Sequence, residues 1–344
     1  MHVNLLSDTV TKPSTAMLEA ILMAEVGDDV FGKDPTANAL EQYAARLFGM
    51  DAAVFCPSGT MTNQIAIQMH CDDLTELICD ETSHVYQYET GGYAYNARAA
   101  VNLIKGNNGK INADQISDAI KPNRGWLPKT ALVVIENTSN KGGGSYYRLE
   151  EIYPIRQLCD ERGIGLHLDG ARLFNALVET KEKPAQWGAL FDSISICLSK
   201  GLGAPVGSLL LGKASFISQA RRYRKVMGGG MRQSGFMAAA GLFALKNNIA
   251  RLSEDHHRAK KIGAALSEKS FIKTINPVMT NIIIFELDES YDGDRFVEVL
   301  LQHDIAASAM GKYLIRMVTH LDLDDAMIDY TINVIQRLRP TDLK

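Results

Sequence analysis

The chain has 344 residues, enough for about two domains. Its 36 basic and 40 acidic side chains give a formal net charge of −4, so it lacks the basic footprint of a nucleic-acid-binding protein. The five cysteines lie at least eight residues apart, which argues against a disulfide scaffold or a zinc knuckle and favours a reducing compartment. With no signal-peptide pattern at the start and no apolar run of membrane length, we expect a cytoplasmic protein.

Short apolar segments of strand type recur along the first two thirds of the chain. Most are continuous apolar runs, which predict strands buried on both faces. The predicted strands are residues 52–56, 76–79, 100–104, 131–135, 165–168, 193–198 and 208–211. Helical segments lie between several of them, including 60–70, 113–120 and 149–162, the last stopped by Gly163. This alternation predicts an α/β fold with a mostly parallel central sheet flanked by helices.

From about residue 248 the pattern changes. A long polar helix at 248–269 precedes strand-like segments at 281–287 and 313–318 and helices at 294–303 and 325–338. We therefore predict a large domain at 1–247 and a small α+β C-terminal domain at 248–344. The N-terminal segment 1–14 is grouped with the large domain, although it could dock on either part.

Three local features could carry chemistry. A predicted strand runs through Ser58-Gly59-Thr60 into a helix, which is either an anion site or an ordinary N-cap. Asp169 follows a buried strand, where it is either a functional acid or a helix cap. Lys200 follows the next strand before a glycine-rich turn, where it is either a reactive amine or a lysine that extends to solvent.

The order of these features favours a pyridoxal phosphate site. Such a site requires a lysine for the Schiff base, a carboxylate facing the pyridine nitrogen, and a helix start for the phosphate. No metal motif competes, because His256 and His257 are adjacent and no H-E-x-x-H is present, so we expect no metal ligands. Serine hydrolase and P-loop motifs are absent as well.

Several longer motifs carry a resemblance that runs from about Leu5 to Leu338. They are Ser7-Asp8-Thr9-Val10-Thr11-Lys12-Pro13, Gly27-Asp28-Asp29-Val30-Phe31-Gly32, Pro57-Ser58-Gly59-Thr60, Glu136-Asn137-Thr138, Asp169-Gly170-Ala171-Arg172, Ser199-Lys200-Gly201, Gly228-Gly229-Gly230-Met231-Arg232-Gln233 and Arg316-Met317-Val318-Thr319-His320. By these motifs the chain resembles the low-specificity L-threonine aldolases, pyridoxal phosphate enzymes of the aspartate-aminotransferase-like fold type I.

The resemblance implies a role for each matching residue. Lys200 would form the Schiff base and Asp169 would pair with the pyridine nitrogen. The remaining implied roles are phosphate binding by Gly59 and Thr60, ring stacking by His84, carboxylate binding by Arg172, Arg316 and Ser7, a further cofactor contact by Arg172, pocket lining by Tyr88, and phosphate contacts from a neighbouring subunit by Lys225 and Arg232. It also implies a homo-oligomer, with a dimer of dimers expected.

The sequence leaves three points open. His84, or a water that it orders, is the candidate base for the substrate hydroxyl, but it could equally only stack on the ring. Phe31 stands where the family commonly has tyrosine. Trp126 and Ser139 stand where relatives often have histidines, so Trp126 could line the substrate pocket or belong to a locally different loop.

The predicted reaction is cleavage of L-threonine or L-allo-threonine to glycine and acetaldehyde, with breadth on L-β-hydroxy-α-amino acids. A β-eliminating lyase or a phenylserine-type aldolase on the same scaffold is the alternative. A catalytically inactive binding protein is disfavoured because Lys200, Asp169, Arg172 and Arg316 are all present.

Overall fold

The computed structural model describes all residues from 1 to 344. The strands are β1 Val3–Asn4, β2 Ala52–Cys56, β3 Thr75–Asp80, β4 Ala100–Ile104, β5 Lys129–Glu136, β6 Gly165–Gly170, β7 Ser193–Cys197, β8 Ser208–Gly212, β9 Ile272–Ile275, β10 Ile282–Leu287, β11 Ile305–Ala306, β12 Ser308–Ala309 and β13 Leu314–Val318. The α-helices are α1 Thr15–Leu22, α2 Pro35–Phe48, α3 Gly59–His70, α4 His84–Gln87, α5 Gly92–Tyr95, α6 Ala113–Ala119, α7 Leu149–Arg162, α8 Leu173–Thr180, α9 Pro184–Gly188, α10 Ala214–Val226, α11 Gly235–Asn247, α12 Leu252–Ser267, α13 Gly293–Leu301 and α14 Asp325–Arg337.

A seven-stranded sheet in the order β2-β8-β7-β6-β5-β3-β4 forms the centre of the larger part. The strands from β7 to β4 are parallel, and only β8 runs antiparallel to its neighbours β2 and β7. The prediction of a mostly parallel sheet flanked by helices is confirmed. Because β2 and β7 both oppose β8, the carboxyl ends of β2, β3, β5, β6 and β7 lie at one edge, where such sheets hold ligands.

Burial explains why these segments form strands. Every residue of β3, β7 and β8 is buried, as expected for strands covered on both faces, and this includes the polar residues Glu76, Ser193 and Ser195. The exception is β4, which lies at the end of the sheet and is buried only at Ile104. The other end strand, β2, is buried at four of its five residues because helices α2 and α10 pack against it, whereas β4 packs mainly against the short helices α5 and α6. The prediction of two buried faces is therefore wrong for β4.

Local signals set several helix ends correctly. Helix α7 has the predicted bounds and ends where Gly163 adopts a left-handed conformation with φ 62°. Helix α2 begins with Pro35 after Asp34, whose Oδ1 accepts from the backbone N–H of Ala37 at 2.8 Å.

No helix has the combination of length and apolar composition that crossing a bilayer requires.

A second, smaller sheet follows α12 in the order β12-β13-β10-β9, with antiparallel pairs throughout. It has its own apolar core, which includes Phe285 and Phe296 with ring centroids 5.6 Å apart. The N-terminal strand β1 pairs with β11, and Val3 and Leu5 are buried in this second core. The start of segment 1–14 therefore packs on the C-terminal part, unlike its predicted grouping, because Val3 and Leu5 find their apolar partners there.

The same segment then crosses to the large sheet. After Leu5, a 3₁₀ turn at Asp8–Val10 brings the chain to the turn that carries Lys200. The Thr11 hydroxyl donates to the backbone oxygen of Lys200 at 3.2 Å. Residues 6–11 therefore lie between the two sheets, at the edge where the strands of the large sheet end.

Candidate active site

The carboxyl edge of the large sheet collects most of the predicted site residues. Gly59 and Thr60 begin α3 directly after β2, and His84 begins α4 after β3. Asp169 lies at the end of β6, paired in register with Glu136 on β5, and Lys200 follows β7 by three residues. These residues are distant in sequence, and the parallel strand order brings them together.

A cavity of about 420 Å³ opens between this edge and the small sheet. Its lining contains six of the predicted residues: Ser7, His84, Tyr88, Arg172, Lys200 and Arg316. The wall is completed by Thr9, Asn140, strand β12 and the following residue Met310. Both parts of the chain thus build the cavity, and its volume is large enough for a small amino acid beside the pyridine ring of the expected cofactor.

The start of α3 has the features of an anion site. The Ser58 hydroxyl caps the helix by accepting from the N–H of Met61, and the first-turn amides of Gly59 and Thr60 have no intrahelical acceptor. The Ser208 hydroxyl is buried without a partner, 3.5 Å from where a Cβ on Gly59 would lie. Free amides, an unpaired hydroxyl and the positive helix end fit a phosphate group.

Hydrogen bonds fix the positions of Asp169 and of the turn that carries Lys200, the two residues expected to face the pyridine nitrogen and to form the Schiff base with pyridoxal phosphate. Asp169 is buried, and its two oxygens accept from Asn63 Nδ2 at 2.9 Å and from the N–H of Ala171 at 3.2 Å. The Lys200 turn is held by the N–H of Gly203, which donates to the Lys200 carbonyl at 2.8 Å. Gly203 has φ 80°, a conformation that favours glycine.

Arg172 has a buried partner that sequence reasoning did not identify. Its Nε and Nη2 atoms each donate to Asp8 at 2.7 Å, in a two-point pair almost free of solvent. Although burial by itself would raise the pKa of Asp8, the charge and hydrogen bonds of Arg172 lower it to about 2. Two of the Arg172 nitrogens are therefore committed to Asp8, which leaves less of the guanidinium for a substrate than the sequence predicts.

Arg316 differs from Arg172 because it forms no ion pair with an acidic side chain. Its Nη1 donates to the Asn140 side chain and its Nη2 to the Leu6 carbonyl, both at 3.1 Å, and its Nε is buried without an acceptor. Burial, together with repulsion from the Arg172 charge, lowers the pKa of Arg316. An uncompensated guanidinium that borders a cavity is suited to bind a carboxylate.

Glu136 fixes the backbone around His84. Its two oxygens accept from the backbone N–H groups of His84 and Asn140, each at 2.9 Å. Burial and the nearby charge of Asp169 raise the pKa of Glu136 to about 7, against the effect of these two donors. The carboxyl group therefore connects His84 on one wall of the cavity with Asn140, which supports Arg316.

Six predicted residues do not line this cavity: Gly59, Thr60 and Asp169 lie at the same edge of the sheet, and Lys225, Arg232 and Trp126 lie elsewhere. Lys225 lies in a separate cation-rich concavity of about 580 Å³ with Arg221, Arg222 and Arg224. Arg232 pairs with Asp28 at 2.9 Å. Trp126 is in the loop before β5 and is 79% exposed. Within one chain, the structure does not bring these three side chains to Lys200.

Sequence reasoning missed four polar residues of the site. They are Asp8, Glu89, Glu136 and Asn140. Each forms a hydrogen bond with Arg172, His84 or Arg316, and of the four only Asn140 also lines the cavity. Asp8 and Glu136 belong to motifs that the sequence singled out, so an acid next to Ser7 or after a buried strand was a usable signal. Glu89 belongs to no motif that the sequence singled out, and although His84 is only five residues away, its other partners Asn63 and Gln64 are 26 and 25 residues away.

Comparison with known proteins identifies the family of this chain. The family model described as beta-eliminating lyase matches residues 4–290. A low specificity L-threonine aldolase of Escherichia coli K12 is 42% identical over 322 residues, covering 93% of this chain and 94% of the relative. The Arabidopsis thaliana low-specificity L-threonine aldolase 1 is 37% identical, covering 97% and 96%. This chain belongs to the low-specificity L-threonine aldolase family.

Solved structures place this family member in a known fold. A Leishmania major threonine aldolase superposes with a TM-score of 0.85 over 97% of this chain and 99% of that one, at 22% identity. A serine palmitoyltransferase of Sphingomonas wittichii superposes at 0.76 with 15% identity. These likenesses show the aspartate-aminotransferase-like fold of pyridoxal phosphate enzymes. The family is a lyase family that uses pyridoxal 5′-phosphate, which the residues described above fit.

Proposed function

We propose that this enzyme cleaves L-threonine and L-allo-threonine to glycine and acetaldehyde, and accepts other L-β-hydroxy-α-amino acids. The observation that carries this proposal is the uncompensated Arg316 guanidinium, which shares one cavity with Lys200 and His84. A cation without an acid partner, placed beside a lysine and an imidazole, suits an amino acid that must lose a proton from a hydroxyl group.

The cofactor has a defined set of partners in this proposal. Lys200 would bind it covalently, Asp169 would face its pyridine nitrogen, and the start of α3 at Gly59 and Thr60 would hold its phosphate. Arg172 and His84 would contact the ring. When bound, pyridoxal phosphate supplies an electron sink for the pair released when the substrate bond breaks.

The protein's own residues bind and orient the substrate. Arg316, with Ser7 and the part of Arg172 not used by Asp8, would hold the carboxylate. Fixing the carboxylate sets which bond of the α-carbon is aligned to break. His84 Nε2 would accept the proton of the β-hydroxyl group. Tyr88, whose ring centroid is 5.6 Å from that of His84, would line the side-chain end of the pocket.

We further propose that the active site is completed in a cytoplasmic homo-oligomer, a dimer of dimers. Lys225 and Arg232 lie away from the cavity of their own chain, and in this proposal they contact the phosphate bound by a neighbouring subunit. Large apolar side chains are exposed at Phe31, between Val30 and Gly32 of the concavity that contains Lys225, and at Val226, next to Lys225, as expected for surfaces covered on assembly. All five cysteines are free, which supports a reducing compartment.

The role of Arg316 has a sharp test. Arg316→Leu should lower kcat/KM for L-threonine roughly 10- to 150-fold, because charged hydrogen bonds to the carboxylate are lost. The thermal midpoint should stay the same or rise, since a partly buried cation without a counter-charge is removed. Steady-state kinetics and thermal unfolding check both. A clearly lower midpoint with unchanged KM would mean that Arg316 serves the fold instead.

A product assay tests the reaction itself. With L-threonine, L-allo-threonine and phenylserine, we expect equimolar glycine and aldehyde from the cofactor-loaded enzyme. Ammonia and a keto acid would instead show β-elimination, the alternative that the family description keeps open. No product and no absorbance from bound cofactor would overturn the proposal of an active enzyme.

The same assay addresses Trp126. Its side chain is exposed and does not line the cavity of its own chain. We propose that it contacts the substrate bound in the cavity of a neighbouring subunit. Trp126→His should then change the ratio of the rates on phenylserine and L-threonine by a few-fold, because an aromatic wall is replaced by a smaller polar ring. An unchanged ratio would remove Trp126 from the substrate site.

A further inference from the structure

Glu89 is a buried carboxylate behind the wall of the cavity. It is 3% exposed and follows α4, beyond Tyr88. Its Oε1 lies 2.9 Å from His84 Nδ1 and accepts from Asn63 Nδ2 at the same distance, while its Oε2 accepts from the Gln64 side-chain amide. Among these partners only the imidazole can take a positive charge, so His84 is the only direct ion-pair partner of Glu89.

Two helix residues prevent Glu89 from turning away. Asn63 donates its two amide hydrogens to Glu89 and to Asp169, and its oxygen faces His167 Nε2 at 3.2 Å. Gln64 reaches the other Glu89 oxygen only because residue 92 is glycine. A Cβ there would lie 2.5 Å from the Gln64 side chain. The carboxylate is thus held in one orientation against the imidazole.

This contact determines which nitrogen of His84 carries the proton. An ionised carboxylate only accepts hydrogen bonds, so the nitrogen that faces it, Nδ1, must be the donor. In neutral His84 the lone pair is then on Nε2, which has no hydrogen-bond partner in the protein. The His84 side chain is 28% exposed and borders the cavity, so Nε2 is the nitrogen available to a ligand.

We propose that Glu89 is a positioning residue that keeps the proton of neutral His84 on Nδ1 and leaves the Nε2 lone pair available to the substrate hydroxyl. The inference rests on the proposed function for the identity of that hydroxyl. In the step concerned, the O–H bond of the β-hydroxyl breaks, its proton forms the new N–H bond at Nε2, and the electron pair stays on oxygen. The imidazolium that results is stabilised by the Glu89 charge.

Electrostatics act in the same direction. Burial by itself would lower the pKa of His84, but the Glu89 hydrogen bond and the negative charges of Asp169 and Glu89 raise it above its usual range. Lys200 opposes this effect. Loss of the Glu89 charge should therefore lower the pKa of His84 while the shape of the site is kept.

Glu89→Gln tests the proposal by two independent measurements on the cofactor-loaded enzyme. The first is the pH profile of kcat/KM, in which we expect a 10- to 100-fold lower plateau and an acid limb moved down by about one pH unit. The second is the pH dependence of deuterium exchange at the imidazole carbon of His84, followed by mass spectrometry. Its midpoint should move down by about the same amount.

Matched variants separate positioning from a structural role. Glu89→Asp keeps the charge and should hold the exchange midpoint nearer to the wild-type value, and Glu81→Gln, an acid in the preceding turn that makes no side-chain hydrogen bond, should change neither measurement. An unchanged His84 midpoint in Glu89→Gln would overturn the proposal, as would lower activity without a shift of the acid limb. If Glu89→Gln does not fold, Glu89→Asp must show a small downward shift of both the acid limb and the exchange midpoint, because its shorter side chain moves the charge away from Nδ1; no shift in Glu89→Asp would then overturn the proposal. The exchange measurement needs no turnover, so it distinguishes failure of this inference from failure of the proposed reaction.

Discussion

Replacing Lys200 by alanine is expected to remove turnover almost completely, by roughly 10³-fold or more, while the protein stays folded. Lys200 is the one amine in the cavity wall, beside His84 and Arg316. Without it, the cofactor has no covalent attachment, although Asp169 and the start of α3 remain to hold it by non-covalent contacts. The measurements are product formation and the absorbance of the loaded protein.

A peptide measurement makes this prediction specific. Borohydride treatment of the loaded wild type should leave a cofactor-modified peptide that contains Lys200, and the same treatment of Lys200→Ala should leave none. Lys213→Ala removes an exposed lysine at the start of α10 and should match the wild type in both readouts. A modified lysine elsewhere, or a Lys200→Ala enzyme with near-normal rates, would contradict the assignment.

Asp8→Ala is expected to destabilise the fold by about 3–5 kcal/mol, because it leaves the Arg172 guanidinium buried and unpaired. That is a large share of a typical free energy of unfolding, about 5–15 kcal/mol. Asp8 also accepts from Asn281 Nδ2 at 3.2 Å, so a tie between the N-terminal segment and the small sheet is lost as well. Denaturant unfolding of the cofactor-free and loaded proteins measures the effect.

The paired variant Asp8→Leu with Arg172→Met is the control. Replacing both charges by apolar groups should recover most of the lost stability, since neither charge then remains buried alone. It should not recover activity, because Arg172 would contact the cofactor and substrate. If the double variant is no more stable than Asp8→Ala, the pair does not act through its charges.

The pH dependence of stability follows from the same pair. The folded pKa of Asp8, about 2, lies below the unfolded value of about 3.9. The stabilisation is therefore complete above pH 4 and is lost as pH falls towards 2. In the double variant this contribution is absent, so its free energy of unfolding should fall less steeply between pH 4 and pH 2.

Much of the fold could be read from local patterns. The bounds of α7 follow from the apolar spacing of 149–162 and from Gly163, and β2 and β4 have the predicted residues. The helix predicted at 248–269 is α12, which is shorter at both ends, because polar residues at a helix terminus do not mark where regular hydrogen bonds stop. The exposure of β4 could not be predicted, since the helices that pack on a strand, and not its own residues, decide whether its faces are covered.

In the candidate site, too, some features could be predicted from the sequence and others could not. Lys200, Asp169 and the Gly59–Thr60 turn follow buried strands, and parallel strands end at one edge, so the sequence was sufficient to group them. The partners of the charged groups were not predictable. Arg172 and Asp8 are 164 residues apart, and Asn63 and Asp169 are 106 apart. No periodicity encodes such pairs.

By itself, the sequence determined the type of fold, the succession of strands and helices along the chain, and the chemistry of the residues at the ends of the strands. The tertiary structure decided which charges are compensated. It pairs Arg172 with Asp8 and leaves Arg316 without an acid, and through Asn63 and Gln64 of α3 it fixes the Glu89 carboxylate against His84. The physical reason is that burial makes the nearest partner decisive for a charged group, and that partner is set by packing between elements rather than by neighbours in the chain.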